Sequence, residues 1–140
     1  MIRVVIDTNI VISALLRAGS LPEAVINLAF SGDVQWVASE AILAEYAEVL
    51  QRPRFAIGSA RTADVMSRIR KSVLLVAPTI RIEATKNPDD NMFLECAQAG
   101  DADYIVTGNI RHFPRIWQKT RVVTPREFID AWTAAPPDYR

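Results

Sequence analysis

Apolar residues along this chain switch repeatedly between strand-like runs and helical spacing, and the first switch sets the pattern. Ile2 to Ile6, Ile-Arg-Val-Val-Ile, is a mostly β-branched run that reads as a buried strand. It stops at Asp7. Thr8 and Asn9 follow, and Ile10, Val11, Ala14 and Leu15 resume at helical spacing over about residues 9–17. A carboxylate therefore stands where a buried strand hands over to a helix. In open α/β sheets that is where ligands bind, although an aspartate there can also simply cap the helix.

The same alternation continues. Gly19-Ser20 breaks the first helix, and Ser20 with Pro22 starts a second that runs to about Ser31. Val34 to Val37 reads as a short strand. Ser39 caps a helix over about residues 40–50, and Pro53 follows its end. After a connector at 52–58, a helix is predicted over 62–72 and a strand over 73–76, with 80–83 undecided. Asn87-Pro-Asp-Asp90 turns into a helix over 90–99 closed by Gly100. A strand at 104–107, a loop or turn at 108–113, a strand at 121–124 and a helix from Pro125 to about Ala134 complete the pattern. Strands alternating with helices predict a three-layer α/β/α sandwich around a mainly parallel sheet. Residues 1–134 form one domain, and 135–140, beginning before Pro136-Pro137, are expected to be a loose tail.

Composition narrows the class. The chain has 140 residues, half of them apolar, enough for a substantial core in one domain. No apolar run reaches membrane-spanning length, and the N-terminus lacks the pattern of a signal peptide. The single cysteine, Cys96, forms no internal disulfide and offers no thiolate cluster for zinc. Cytoplasmic residence is the default expectation. Sixteen basic and sixteen acidic residues cancel. That argues against strong nonspecific nucleic-acid binding but not against a nuclease, because carboxylates at a metal site offset a basic groove in the count.

The informative residues are acids at positions where a core pattern calls for apolar ones. In the helix over 40–50, Ile42, Leu43, Tyr46, Val49 and Leu50 share one face, and Glu45 lies at its flank. A carboxylate turned inward needs a partner or a cation; at a boundary position it can also reach water. In the helix over 90–99, Phe93, Leu94, Cys96 and Ala97 form the buried arc and Glu95 and Gln98 point outward. Asp90 falls inside the arc, in a first turn that favours negative charge; Asp89 or Asp90 can serve as a cap. Asp103 opens the strand at 104–107 and reads most simply as a turn residue. Thr107-Gly108-Asn109 closes that strand, where Thr107 and Asn109 can hold a metal-bound water or shape a turn. Three carboxylates at one sheet edge repel each other without a cation. An all-oxygen ligand set suits Mg²⁺ or Mn²⁺ over zinc, and metal-assisted phosphodiester hydrolysis is the chemistry implied.

Asp7-Thr-Asn-Ile10, Glu45 within Leu43-Ala-Glu-Tyr-Ala-Glu-Val-Leu50, Asp90 opening Asp90-Asn-Met-Phe-Leu-Glu-Cys-Ala97, and Ala102-Asp-Tyr-Ile-Val-Thr-Gly-Asn109 together resemble a PIN domain in order and spacing. The resemblance covers nearly the whole chain. It implies a ribonuclease with a parallel sheet and a Mg²⁺ or Mn²⁺ site, of the small single-domain kind that serves as toxin of a bacterial toxin–antitoxin pair. It implies RNA as substrate and a small antitoxin as protein partner; a homodimer is left open. Asp7, Glu45 and Asp90 match the family's metal ligands, and Thr107 matches a site-lining threonine. Asn9 lies beside them in the first motif. Many members carry a fourth acid where this chain has Asn109, which brings no charge, so a second metal is in question and Asp103 is the candidate to compensate. His112 stands near a further acidic position and reads as a surface-loop residue.

Arg52, Arg54, Arg61, Arg68, Arg70 and Lys71 lie in a stretch whose only acid is Asp64. Such a run is most often a solvated face; Arg68, Arg70 and Lys71 are the candidates for following RNA phosphates. Trp36, Trp117 and Trp132 are expected in the core or an interface. Three readings follow: a Mg²⁺-dependent endoribonuclease, a PIN-like RNA- or protein-binding module that no longer cleaves, and a phosphatase using Asp7 as nucleophile. The phosphatase is weakest, because Asn9 stands where its second acid belongs.

Overall fold

A computed structural model describes residues 1–140. Six strands form one sheet in the order β3-β2-β1-β4-β6-β5. In chain order they are β1 (Arg3–Ile6), β2 (Gln35–Ala38), β3 (Val73–Leu75), β4 (Tyr104–Val106), β5 (Ile116–Trp117) and β6 (Thr120–Val123). The helices are α1 (Thr8–Leu16), α2 (Leu21–Phe30), α3 (Glu40–Leu50), α4 (Ser59–Ser72), α5 (Pro88–Ala99) and α6 (Pro125–Ala134). All strand pairs are parallel except β5 with β6. The sheet flanked by helices is the expected three-layer α/β/α sandwich.

The chain starts in the middle of its sheet. From β1 it moves outward through β2 to β3, then returns to place β4 on the other side of β1. The order reverses between β1 and β4, so a crevice opens at the carboxyl ends of these two strands. Val4, Val5, Ile6, Ile105 and Val106 are fully buried there, as residues of a sheet covered on both faces must be. Trp36 and Tyr46 anchor the core beside them. The Tyr46 hydroxyl donates to the Ile6 carbonyl and accepts from Trp36 Nε1 at 3.4 Å, which ties α3 to the end of β1.

Helix starts follow their caps. Ser20, Ser39 and Thr124 each accept from the backbone N–H three residues on, contributions of about 1 kcal/mol each. Two starts differ from expectation: α4 begins at Ser59, and α5 begins at Pro88 because Asn87 caps it, accepting from the Asp89 N–H at 3.0 Å. Gly100 closes α5 for a reason other than a left-handed turn. Its φ is −92°, and a Cβ there would stand 2.4 Å from Val37 Cγ1, so the helix end can approach β2 only with glycine.

The antiparallel strand β5 was not expected. It has two residues, too few to show a period, and it owes its existence to pairing with β6. Residues 80–83 form no regular element, but Ile82 is buried and its N–H donates to Glu95 at 2.9 Å. Glu95 and Gln98, read as outward-pointing, are both half-buried and each fixes a neighbour, Gln98 by accepting from Trp117 Nε1 at 3.1 Å. In 135–140 a 3₁₀ turn, Pro137–Tyr139, brings the Arg140 guanidinium 4.8 Å from the centre of the Trp132 ring. No single helix is long and apolar enough to cross a membrane.

Candidate active site

Asp7 is the N-cap residue of α1, yet its carboxylate makes no capping hydrogen bond. It accepts instead from the Thr107 hydroxyl at 2.6 Å. These two residues end β1 and β4, and the strands are held in register by the Asp7 N–H donating to the Val106 carbonyl at 2.9 Å. A helix-capping role thus gives way to a cross-strand contact at the crevice. Asp7 is 8% exposed and Thr107 is fully buried. Burial holds the Asp7 carboxyl above its ordinary pKa; the Thr107 bond opposes that, and the charge of Asp90 adds to it.

Glu45 reaches the same place from the middle of α3. The Thr8 hydroxyl donates to its carboxylate, so the residue after Asp7 positions the second acid. Glu45 is half-buried. Burial raises its pKa, Thr8 lowers it, and Asp7, Asp89 and Asp90 raise it further. Asp90 lies in the first turn of α5 and its side chain is only 15% exposed. Its pKa is raised by burial, lowered by His112 and raised by Asp89. Because Asn87 caps α5, neither Asp89 nor Asp90 is used as the cap, and Asp90 is left to face the site.

The remaining candidates separate cleanly. Asn9 belongs to the site: its side-chain oxygen accepts from the Gly108 N–H at 3.4 Å, linking the turns after β1 and β4. Asn109 also lies at this edge. It is exposed, and its N–H donates to the Thr107 hydroxyl at 3.0 Å, so Thr107 relays between the Asn109 backbone and the Asp7 carboxylate. Asp103 does not join them. It precedes β4 and therefore lies at the opposite edge of the sheet, where it accepts from the Arg3 N–H at 2.8 Å and pairs with Lys119 at 3.4 Å. It cannot replace a fourth acid, because the strand length of β4 separates it from Asn109.

Two of the three basic candidates of α4 are engaged elsewhere. Arg70 forms a two-pronged pair with Glu40 at 3.0 and 3.2 Å, and the Arg68 guanidinium sits 4.1 Å from the centre of the Phe30 ring. Lys71 is exposed and forms no ion pair. The sequence makes His112 a surface-loop residue. It is 60% exposed on its side chain, but Nδ1 stands 3.8 Å from the Asp90 carboxylate. Its place beside the site comes from a 3₁₀ turn, Ile110–His112, which no apolar period announces.

Comparison with known proteins addresses the same residues. A family model described as PIN domain matches residues 3–111. This chain belongs to the PIN-domain family. The match spans Asp7, Glu45, Asp90, Thr107 and Asn109. The chain is 27% identical over 140 residues to an uncharacterized protein of Methanocaldococcus jannaschii, covering 92% of this chain and 90% of that one. It also shares its fold with a solved structure of FitAB bound to an IR36 DNA fragment, with a TM-score of 0.57 at 14% identity, over 87% of this chain and 94% of that one.

What this PIN domain holds at its crevice is an oxygen-rich, negatively charged group. The carboxylates share one electrostatic neighbourhood without converging on a ready-made ligand cage. No lysine or arginine pairs with Asp7, Glu45 or Asp90. The donor set fits a hard divalent cation, which accepts a few carboxylates and keeps several waters. Asp7, Glu45 and Asp90 are the residues that would hold it.

Proposed function

We propose that this PIN domain is a Mg²⁺- or Mn²⁺-dependent endoribonuclease that hydrolyses phosphodiester bonds in RNA and is restrained by a small antitoxin protein. The single observation that carries the reading is the set of three part-buried carboxylates at the β1/β4 crevice, each with a raised pKa and none paired with lysine or arginine. Groups perturbed in this way by burial and by each other cluster at functional sites. A divalent ion bound there would supply the Lewis acidity that makes a water nucleophilic at neutral pH and offsets charge on the leaving oxygen.

The chain's own contribution is to hold the donors still. Thr107 orients Asp7 from β4, Thr8 orients Glu45 from α1, and Asn9 ties the two turns together. Supporting bonds of this kind fix ligand direction before any cation arrives. Asn109 supports a second reading, a PIN-like module that binds RNA or protein without cleaving, because it leaves the site one charge short of the family's four acids.

Incubation of the purified chain with single-stranded and structured RNAs, in Mg²⁺, Mn²⁺ or chelator, separates these readings. Metal-dependent products, lost in chelator and in the Asp90→Asn variant, are the expected outcome. Metal-independent binding with no products in any condition would move the assignment to the non-cleaving module.

A further inference from the structure

One cavity of the molecule is lined in part by Asp90. It has a volume of about 590 Å³ and is lined by Thr85, Lys86, Asn87, Asp90, Arg111 and His112, among others. Two of its residues, Lys86 and Arg111, form neither ion pairs nor side-chain hydrogen bonds within the chain. That sets them apart from most cations here. Arg52, Arg70, Arg115 and Lys119 pair with acids, Arg3, Arg61 and Arg140 donate to backbone carbonyls, and Arg54 and Arg68 lie over aromatic rings.

We infer that this cavity is a backbone-binding subsite for single-stranded RNA, in which Lys86 and Arg111 hold a phosphate neighbouring the one presented to Asp7, Glu45 and Asp90. The inference rests on the ribonuclease reading and names where the substrate strand leaves the site. Lys86 and Arg111 come from separate loops, one before α5 and one after β4. Both line the same cavity as Asp90, so a strand lying across the acids and into this cavity meets positive charge beside Asp90. The Thr85 hydroxyl is already engaged as a donor, to the Asn87 carbonyl and to Asn91, while the Asn87 side chain accepts the α5 cap through Oδ1 and keeps its amide N–H groups for a strand. Lys86 and Arg111, the cations that line this cavity, carry the binding. This path differs from the one along α4: the cavity beside Arg68 is lined by Val11, Ile26, Phe30, Trp36 and Ile69 and shares no residue with this one.

The test measures binding without turnover. Fluorescence anisotropy of an end-labelled single-stranded oligoribonucleotide, in chelator and over a range of salt, compares the parent with Lys86→Ala/Arg111→Ala and with Arg68→Ala/Arg70→Ala. The two double variants lose the same charge. For the cavity pair the expected result is affinity about tenfold or more weaker at low salt, with a log–log salt slope shallower by about 1.4, the value for two lost contacts on a single strand. The α4 pair should leave the slope unchanged. Thermal melting verifies that both variants fold. A slope carried by the α4 pair, or unchanged in the cavity pair, overturns the subsite even if the parent cleaves RNA. Loss of cleavage together with retained, Lys86/Arg111-dependent binding would overturn the nuclease reading and leave the subsite standing.

Discussion

Acids gather at both ends of this sheet. At the carboxyl edge stand Asp7, Glu45 and Asp90; at the amino edge stand Asp101 and Asp103. The second pair is matched within the chain: Lys119 lies 3.3 Å from Asp101 and 3.4 Å from Asp103, and the Arg3 N–H donates to Asp103. The first group receives hydroxyls from Thr107 and Thr8 and no lysine or arginine. Carboxylates whose role is structural come with their counter-charge, at a modest net gain for exposed pairs. Carboxylates left mutually repelling and half desolvated cost stability, and such a cost is characteristic of a site waiting for a ligand.

The sharpest break of this comparison is catalytic. Asp90→Asn should reduce metal-dependent RNA cleavage on the order of a hundredfold or more, since it removes a donor the cation needs. Asp103→Asn, the same chemical change at the other edge, should leave cleavage unaltered and lower the melting temperature slightly. Gel-based cleavage rates on both variants check this. Equal losses in the two would mean that position in the sheet does not distinguish the acids.

Much of this difference was legible in the residues, and the illegible part has physical causes. Asp7 stands out because a strand stops on it, and Asp90 because it interrupts an apolar arc; both signals come from periodicity. Glu45 was ambiguous at the flank of its arc, and only the Thr8 hydroxyl, brought near by the fold, decides its direction. Asp103 reads most simply as a turn residue and otherwise as a compensating ligand; strand order decides against the ligand, and order is not written in local spacing. Lys86, Arg111 and His112 lie on loops without a period, where cavities form only when two distant segments meet. The basic run reads most simply as a solvated face and otherwise as a path for RNA phosphates, and in three dimensions Arg70 and Arg68 already have partners.

The second test compares how the two acid groups respond to metal. A divalent ion binds the assembled carboxyl edge and hardly binds the unfolded chain, so it must stabilise the fold, by about 2.7 kcal/mol at a hundredfold excess over its dissociation constant. Mg²⁺ or Mn²⁺ should therefore raise the melting temperature of the parent and of Asp103→Asn alike. The double variant Asp7→Asn/Asp90→Asn should melt above the metal-free parent and respond little to metal. A parent indifferent to millimolar Mn²⁺ would count against an occupied cation site and favour the non-cleaving module.

A third, smaller effect concerns the missing fourth acid. Asn109 is exposed at the carboxyl edge, and its backbone already bonds to Thr107. Asn109→Asp adds a charge there without disturbing that backbone contact, and Mg²⁺ affinity should tighten by about tenfold, since affinity follows the number of charged oxygen ligands. Isothermal titration measures it. Unchanged affinity would show that the turn after β4 directs this side chain away from the other acids.

The smallest effect is the pH dependence of stability without metal, and its sign follows from the direction of the shifts. Asp7, Glu45 and Asp90 have folded-state pKa values above their ordinary 3.8 or 4.5, chiefly through burial. The folded chain therefore takes up these protons more readily than the unfolded one. Stability rises as pH falls through the raised values, and the gain is complete below the ordinary ones. Glu40 and Glu127 act oppositely, their pKa values lowered chiefly by hydrogen bonds to Arg70 and to the Thr124 backbone. Their contribution is intact above about 4.5 and is lost only below it, so it does not mask the effect above that pH. Melting curves in chelator should therefore show the parent gaining stability as pH drops from neutrality toward the ordinary carboxylate values. Asp7→Asn should melt higher at pH 7 with a flatter dependence. It keeps the Asp90–His112 contact, so the difference between the two curves reports Asp7 together with the effect of its charge on Glu45. Saturating Mg²⁺ should reverse the parent's slope, because a bound cation needs ionised ligands and is expelled by protons. Parallel curves for parent and variant would mean that the Asp7 carboxylate is no more penalised by its surroundings than those at the amino edge.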